Sequence, residues 1–425
     1  MASLEDIVCR QTAEICSAAI GSQLSTIVLT GSMARGEATS IEEGGVARVL
    51  GDAEFFLVFK EQAPLPSNSS LRLLAEKVQG RLSDERIRCV VELTPVRPRY
   101  FRRLQATIFG YELRACGRAA WGDPSILSLI PSFSPADISR EDAWRLLLNR
   151  TIEFLEVVPG FFQGDAGAAS DCSYRLTKLC LDMATSYLVF AGEFRPTYRA
   201  RASLIQEMAK QDDVKATCPL ELRGFSQQLA RCTESKLGTG QQEPFLDSWA
   251  EAAVRIVKDV RRLWRWELIQ LMGTLSAQAD WELIGNWMRR QAPTARLRGW
   301  LVVLRGCGWH RSWRNWPRWL GLARRASPRY WIYALASELF FSLPSVLKSP
   351  LGGQFQGSDL PPEALSFGRL LQGTRNVRNG SEWLKRNAAL PILFQSSLRA
   401  GSPEWMKLAI NIAANYHGFV EHTEA

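Results

Sequence analysis

The chain predicts an α+β protein: an N-terminal domain built on a mixed sheet with helices, then a mostly helical C-terminal half. Three observations predict this. Short apolar runs alternate with amphipathic stretches as far as the loop "PSFSPAD" at 131–137. From Trp144 onward the apolar positions switch to helical spacing. The 425 residues, 46% of them hydrophobic, suffice for two or three domains with cores of their own.

The elements follow in order. Residues 4–20 predict a helix, with Leu4, Ile7, Val8, Ile15 and Ala19 near helical spacing. After Gly21-Ser22, "STIVLT" is a short buried strand that ends at Gly31-Ser32. "DAEFFLVF" is a second strand, apolar on both faces apart from its acidic start. "APLPSNSS" is loop, and "LRLLAEKVQGRL" has helix-forming composition. "RIRCVVELTPV" is a third strand, expected to stop at Pro95 and Pro98. Further on, Trp144, Leu147, Leu148, Thr151, Ile152 and Leu155 form one helical stripe. Leu176, Leu179, Cys180, Met183, Ala184 and Tyr187 form a second, with Tyr174, Lys178 and Asp182 on the opposite face. These patterns divide the chain into 1–135, 136–275, a Trp/Arg-rich 276–350, and a linker with a helical tail over 351–425.

The chemistry is concentrated at two strand ends. Residues two apart on a strand share a face, so Asp52 and Glu54 project together, about 6 to 7 Å apart at the backbone. Aligned carboxylates repel unless a cation lies between them, which suits a divalent metal. Glu92, midway along the third strand, brings a further acid. Gly31-Ser32 is the complement: a glycine at a strand-to-helix turn lets backbone N–H groups approach an anion, and the serine adds a donor. Arg35 lies one turn on, either toward a phosphate or bracing the turn through an acid such as Glu37.

"LTGSMARGEATS" followed by "DAEFFLVF" and "VVELTPV" resembles the nucleotidyltransferase superfamily of DNA polymerase beta, the minimal nucleotidyltransferases and the aminoglycoside nucleotidyltransferases. The resemblance covers roughly residues 20–130, and more loosely the helices to about 210. It implies that Gly31 and Ser32 bind the β- and γ-phosphates of an NTP. It implies that Asp52 and Glu54, with Glu92 as third acid, are catalytic and hold two Mg²⁺, with Mn²⁺ as a substitute. Arg35 and Lys178 become candidate nucleotide ligands, because relatives pack a helical domain, here 136–275, on the cleft. The expected reaction moves a nucleoside monophosphate to an acceptor hydroxyl and releases pyrophosphate. The alternative is a catalytically inactive nucleotide-binding or membrane-associated scaffold of the same fold. Two departures stand out. Twenty residues separate Ser32 from Asp52, more than in minimal members, so "SIEEGGVARVL" is either a hairpin or an extended loop. The third acid is glutamate where aspartate is commoner.

The net charge of +9 is local. Residues 283–337 hold eleven arginines with no lysine and no acid, which leaves −2 for the rest of the chain. Ten of the fifteen tryptophans lie between Trp264 and Trp331. Within it, Trp309, Trp313 and Trp316 on a helix would oppose Arg311, Arg314 and Arg318. Docking at an anionic membrane surface, binding of RNA, and an ordinary core with solvated arginines all accommodate this pattern. "RYWIYALASELFFSLPSVL" contains Glu338 and reads as a core helix. The acidic N-terminus does not read as a signal peptide. The nine scattered cysteines read as reduced thiols without a disulfide partner. A cytoplasmic location, peripheral to the inner face of the membrane if the basic segment docks there, is the expectation.

Overall fold

Strand β3 (Val46–Phe59) is the spine of the N-terminal sheet, because its second half is apolar on both faces and can be covered on either side. In the computed structural model, which describes residues 3–211, 217–238, 245, 248–273, 279–307, 322–348 and 404–423, Phe55 to Phe59 are all buried. On one edge β3 pairs antiparallel with β1 (Leu24–Thr30) and, nearer its start, with β2 (Ser40–Glu43). On the other edge it pairs parallel with β4 (Ile87–Val96). Strand β5 (Arg118–Gly122) joins antiparallel on β1, so the sheet is mixed.

The "SIEEGGVARVL" segment forms the hairpin β2–β3, turning at Gly44-Gly45, both with positive φ as a tight two-residue turn requires. Strand β4 runs through Pro95 to Val96, where the quoted apolar run ends, and stops before Pro98. A proline is tolerated there because β4 is an edge strand and spares the missing N–H.

The two faces of the sheet carry separate cores. Helices α1 (Leu4–Ile20) and α3 (Asn68–Asp84) cover Phe55, Leu57, Phe59, Cys89 and Val91. The opposite face gathers Val28, Phe56, Val58 and Val96 with Phe101 and Leu113, which belong to α4 (Pro98–Arg102) and α5 (Ile108–Cys116). Between β1 and the hairpin, Gly31–Ala34 makes the single turn α2.

The chain divides into two compact units. The first comprises Met1–Ala143, Ala184–Ala216 and Leu222–Gln242, the second Trp144–Met183, Thr217–Glu221 and Glu243–Ala425. The boundary cuts two helices, α6 (Arg140–Gln163) and α7 (Ala168–Phe190). The first unit also holds α8 (Tyr198–Met208) and α9 (Leu222–Lys236).

The second unit is helical. Helix α10 (Trp249–Met272) ends at Gly273 in the left-handed conformation, and α11 (Asp280–Arg289), α12 (Pro293–Cys307), α13 (Pro328–Lys348) and α14 (Glu404–Thr423) follow. Trp144, Trp264, Trp331 and Trp405 are fully buried in it. Trp300 is buried too, and its indole N–H donates to the Ala326 carbonyl at 2.8 Å. Two described arginines of the basic segment serve the backbone: Arg290 donates to the Met272 carbonyl and Arg296 to that of Arg324. The stripe from Trp309 to Arg318 lies outside the described residues. Among the described residues α13 alone is long and apolar enough to cross a membrane, and 72% of that stretch is buried within the protein.

Candidate functional site

Strand pairing brings the sequence-predicted acids to one end of the sheet. The parallel register of β3 and β4 sets Glu54 beside Glu92 and Asp52 beside Val90. On the other side of β3, the antiparallel register sets Glu54 beside Thr30, the residue before Gly31. Residues in register share a face, so Asp52, Glu54 and Glu92 lie on the same side of the sheet. That side also carries the core of Phe56, Val58 and Val96, and the acids sit where this apolar surface ends.

Gly31 has a second reason to be glycine beyond the turn. Its φ is 71°, in the left-handed region that side chains with a Cβ avoid. A Cβ there would also lie 3.0 Å from the Glu54 carboxyl carbon and 3.0 Å from Oε2. The Glu54 carboxylate therefore rests against the Gly31 backbone. Ser32 follows at once, and its carbonyl accepts the Glu37 N–H at 2.8 Å, which closes the turn.

The electrostatics at this point are unfavourable. Burial raises the pKa of Glu54, the Asp52 and Glu92 charges raise it further, and Arg35 opposes them. Burial and the neighbouring Asp52 likewise push Glu92 up. Glu54 is partly buried and Asp52 and Glu92 are exposed, and such a set of mutually repelling oxygen donors fits a hard divalent cation. Even so, among the described residues no group of three or more His, Cys, Asp or Glu is arranged to hold a metal ion. The register draws the carboxylates together without closing them around one point.

Arg35 is committed to bracing. Its Nε donates to Glu37 Oε2 at 3.1 Å and its Nη1 to Glu112 Oε2 at 2.5 Å, while its guanidinium lies 5.4 Å from the Tyr198 ring. Burial alone would lower its pKa, but Glu112, Tyr198 and Glu37 together hold it above the ordinary arginine value. Arg201 continues the network: it pairs with Glu112, donates to Thr185 Oγ1 at 2.9 Å and to the Arg195 carbonyl at 2.7 Å. Glu37 in turn accepts the Arg199 N–H at 3.2 Å. This nearly dry web ties the Gly31–Arg35 turn to α5 and α8. Glu112 and Arg201 carry no local sequence signal, since the contacts that give them meaning span 77 and 89 residues.

Lys178 belongs to the second unit, not to this group of residues. It stands on α7, 5.4 Å from the Tyr174 ring. Burial lowers its pKa, Arg150 and Arg175 add to that, and Glu153 and Asp182 oppose it.

No protein-family model, no curated protein and no solved structure matches this chain.

Proposed function

We propose that the protein is a metal-dependent nucleotidyltransferase that moves a nucleoside monophosphate from an NTP to an acceptor hydroxyl. The observation that carries this reading is the seating of the Glu54 carboxylate against the Gly31 backbone, with Asp52 and Glu92 on the same face. An anion-accepting turn and a set of cation-seeking acids rarely have a structural reason to touch. A nucleoside triphosphate with its metal ions satisfies both at once.

Asp52, Glu54 and Glu92 would hold two Mg²⁺ ions, whose charge, when bound, stabilises the oxygens entering and leaving phosphorus. The Gly31 backbone and the Ser32 hydroxyl hold the leaving pyrophosphate in line with the attacking oxygen. Glu92 accepts the proton of the acceptor hydroxyl as general base. The acceptor oxygen bonds to the α-phosphorus as the bridge from the α- to the β-phosphate breaks. Arg35 keeps the turn in shape through Glu37 and Glu112. The assignment of Lys178 to the nucleotide rests on the sequence resemblance alone.

Pyrophosphate release by the purified full-length protein tests the proposal, with each NTP, Mg²⁺ and acceptors of several classes. Release that needs both the metal and an acceptor supports it. NTP binding without release from any combination would favour the inactive nucleotide-binding scaffold.

A further inference from the structure

A cavity of about 630 Å³ opens on β3 and β4, and Asp52 forms part of its wall. Strand pairing explains the opening. Arg48 pairs with Arg88 and Asp52 with Val90, so Val49, Leu50 and Gly51 stand against Cys89 alone. Surplus residues on one strand bend it away from its partner. A Cβ on Gly51 would meet nothing within 4 Å, so the space beside it is open.

The wall is basic next to Asp52. Arg48 and Arg88 both line the cavity, and their register places them directly opposite each other on one side of the sheet. Like charges so paired destabilise a sheet unless an anion lies between them. Arg48 meets Glu43 at 3.4 Å, but these side chains are 52% and 50% exposed, and such a pair yields readily to a better ligand. Gln79 and Ser83 of α3, the helix that covers the opposite face of the sheet, complete the lining.

We propose that this cavity is an anion-binding subsite that selects the acceptor. The acceptor would be a small hydroxyl compound bearing a phosphate or a carboxylate. Arg48 and Arg88 grip the anionic group, and the hydroxyl is directed to the Asp52 side of the cavity. The acceptor role rests on the nucleotidyltransferase reading; the anion site stands on the arginines and the cavity. Polycationic acceptors are disfavoured by the same two charges.

The test titrates inorganic phosphate, and separately acetate, into the full-length protein by calorimetry, without NTP. Phosphate affinity should fall at least about tenfold in the Arg48→Gln/Arg88→Gln variant, as expected for lost charge-assisted hydrogen bonds. Ser32→Ala is the comparison, because a loss confined to it would place the phosphate at the Gly31-Ser32 turn instead. Equal affinity in wild type and the arginine variant, or a loss confined to Ser32→Ala, overturns the proposal. A readout on the wild type alone guards against misfolding: phosphate should protect Arg48 and Arg88 from phenylglyoxal, and unprotected labelling contradicts the site. Acetate binding as tightly as phosphate points to carboxylate acceptors; phosphate alone points to phosphorylated ones. Phosphate binding through these arginines without pyrophosphate release from any NTP keeps the anion site and removes the transferase reading. Release with neutral acceptors at an unchanged KM in the double variant keeps that reading and overturns the subsite.

Discussion

Glu54 in the first unit and Glu153 in the second are both largely withdrawn from water, yet their pKa values move in opposite directions. Burial raises Glu54, and the carboxylates of Asp52 and Glu92 raise it further. Burial would raise Glu153 as well, but Arg150, Lys178 and Arg175 outweigh it and hold Glu153 below the ordinary value of 4.5. Glu153 accepts from Arg150 at 2.5 Å and from Arg175 at 2.6 Å, and Arg150 also pairs with Asp182. One cluster balances its own charge. The other sets three carboxylates against the opposing charge of Arg35, and the proposed metal site rests on that imbalance.

The largest effect expected is on turnover. Asp52→Asn and Glu54→Gln should each lower pyrophosphate release on the order of 10³-fold or more, since each removes a charge that the proposed two-metal site requires. Retention of more than about a tenth of the wild-type rate in either variant would end the two-metal assignment. Glu153→Ala, by contrast, should act on stability. It strands cations that still keep 19% and 29% exposure at Arg150 and Arg175, so the cost is about 2 to 3 kcal/mol, below that of a fully buried pair. Denaturant unfolding at neutral pH measures it. Because the folded pKa of Glu153 is depressed, its contribution is present above 4.5 and lost as pH falls below that value. An unchanged midpoint at neutral pH would mean that the pairing holds nothing together.

Ser32→Ala should weaken NTP binding by roughly 1.5 to 3 kcal/mol, one hydrogen bond to a charged phosphate. Equilibrium titration with NTP and Mg²⁺ decides, and unaltered affinity would move the phosphate site elsewhere. Gly31→Ala should cost about 1 to 2 kcal/mol of stability through its positive φ and should displace the Glu54 carboxyl. Full activity in that variant would show that Glu54 need not rest on the turn.

The smallest effect sharpens the comparison most. Without metal, Glu54→Gln should raise the melting temperature slightly, the reverse of Glu153→Ala. The raised folded pKa of Glu54 gives stability that is present below 4.5 and lost as pH rises through the folded value, so the gap between Gln and wild type widens with pH. Mg²⁺ should then favour the wild type, by about 1.4 kcal/mol at ten times its Kd. Wild type melting above Glu54→Gln at pH 7 in chelator would show that the acids are not frustrated.

The sequence by itself determined the elements and the local geometry. Alternation along "DAEFFLVF" made β3 apolar on both faces, and the spacing of Asp52 and Glu54 put them on one side, because a strand has a period of two. Gly44-Gly45 between two runs that pair left room for the hairpin, and the stripe from Trp144 to Leu155 foretold the helix α6. What the chain could not announce is register and long-range pairing. A shift of β4 by one residue would have turned Glu92 to the other face, and nothing local specifies that shift. The same holds for Arg35, whose partner Glu112 is 77 residues away, and for Arg48 and Arg88, which face each other only because β3 and β4 pair there. Local propensity is written residue by residue, whereas the coupling between distant charges exists only once burial has chosen which surfaces meet.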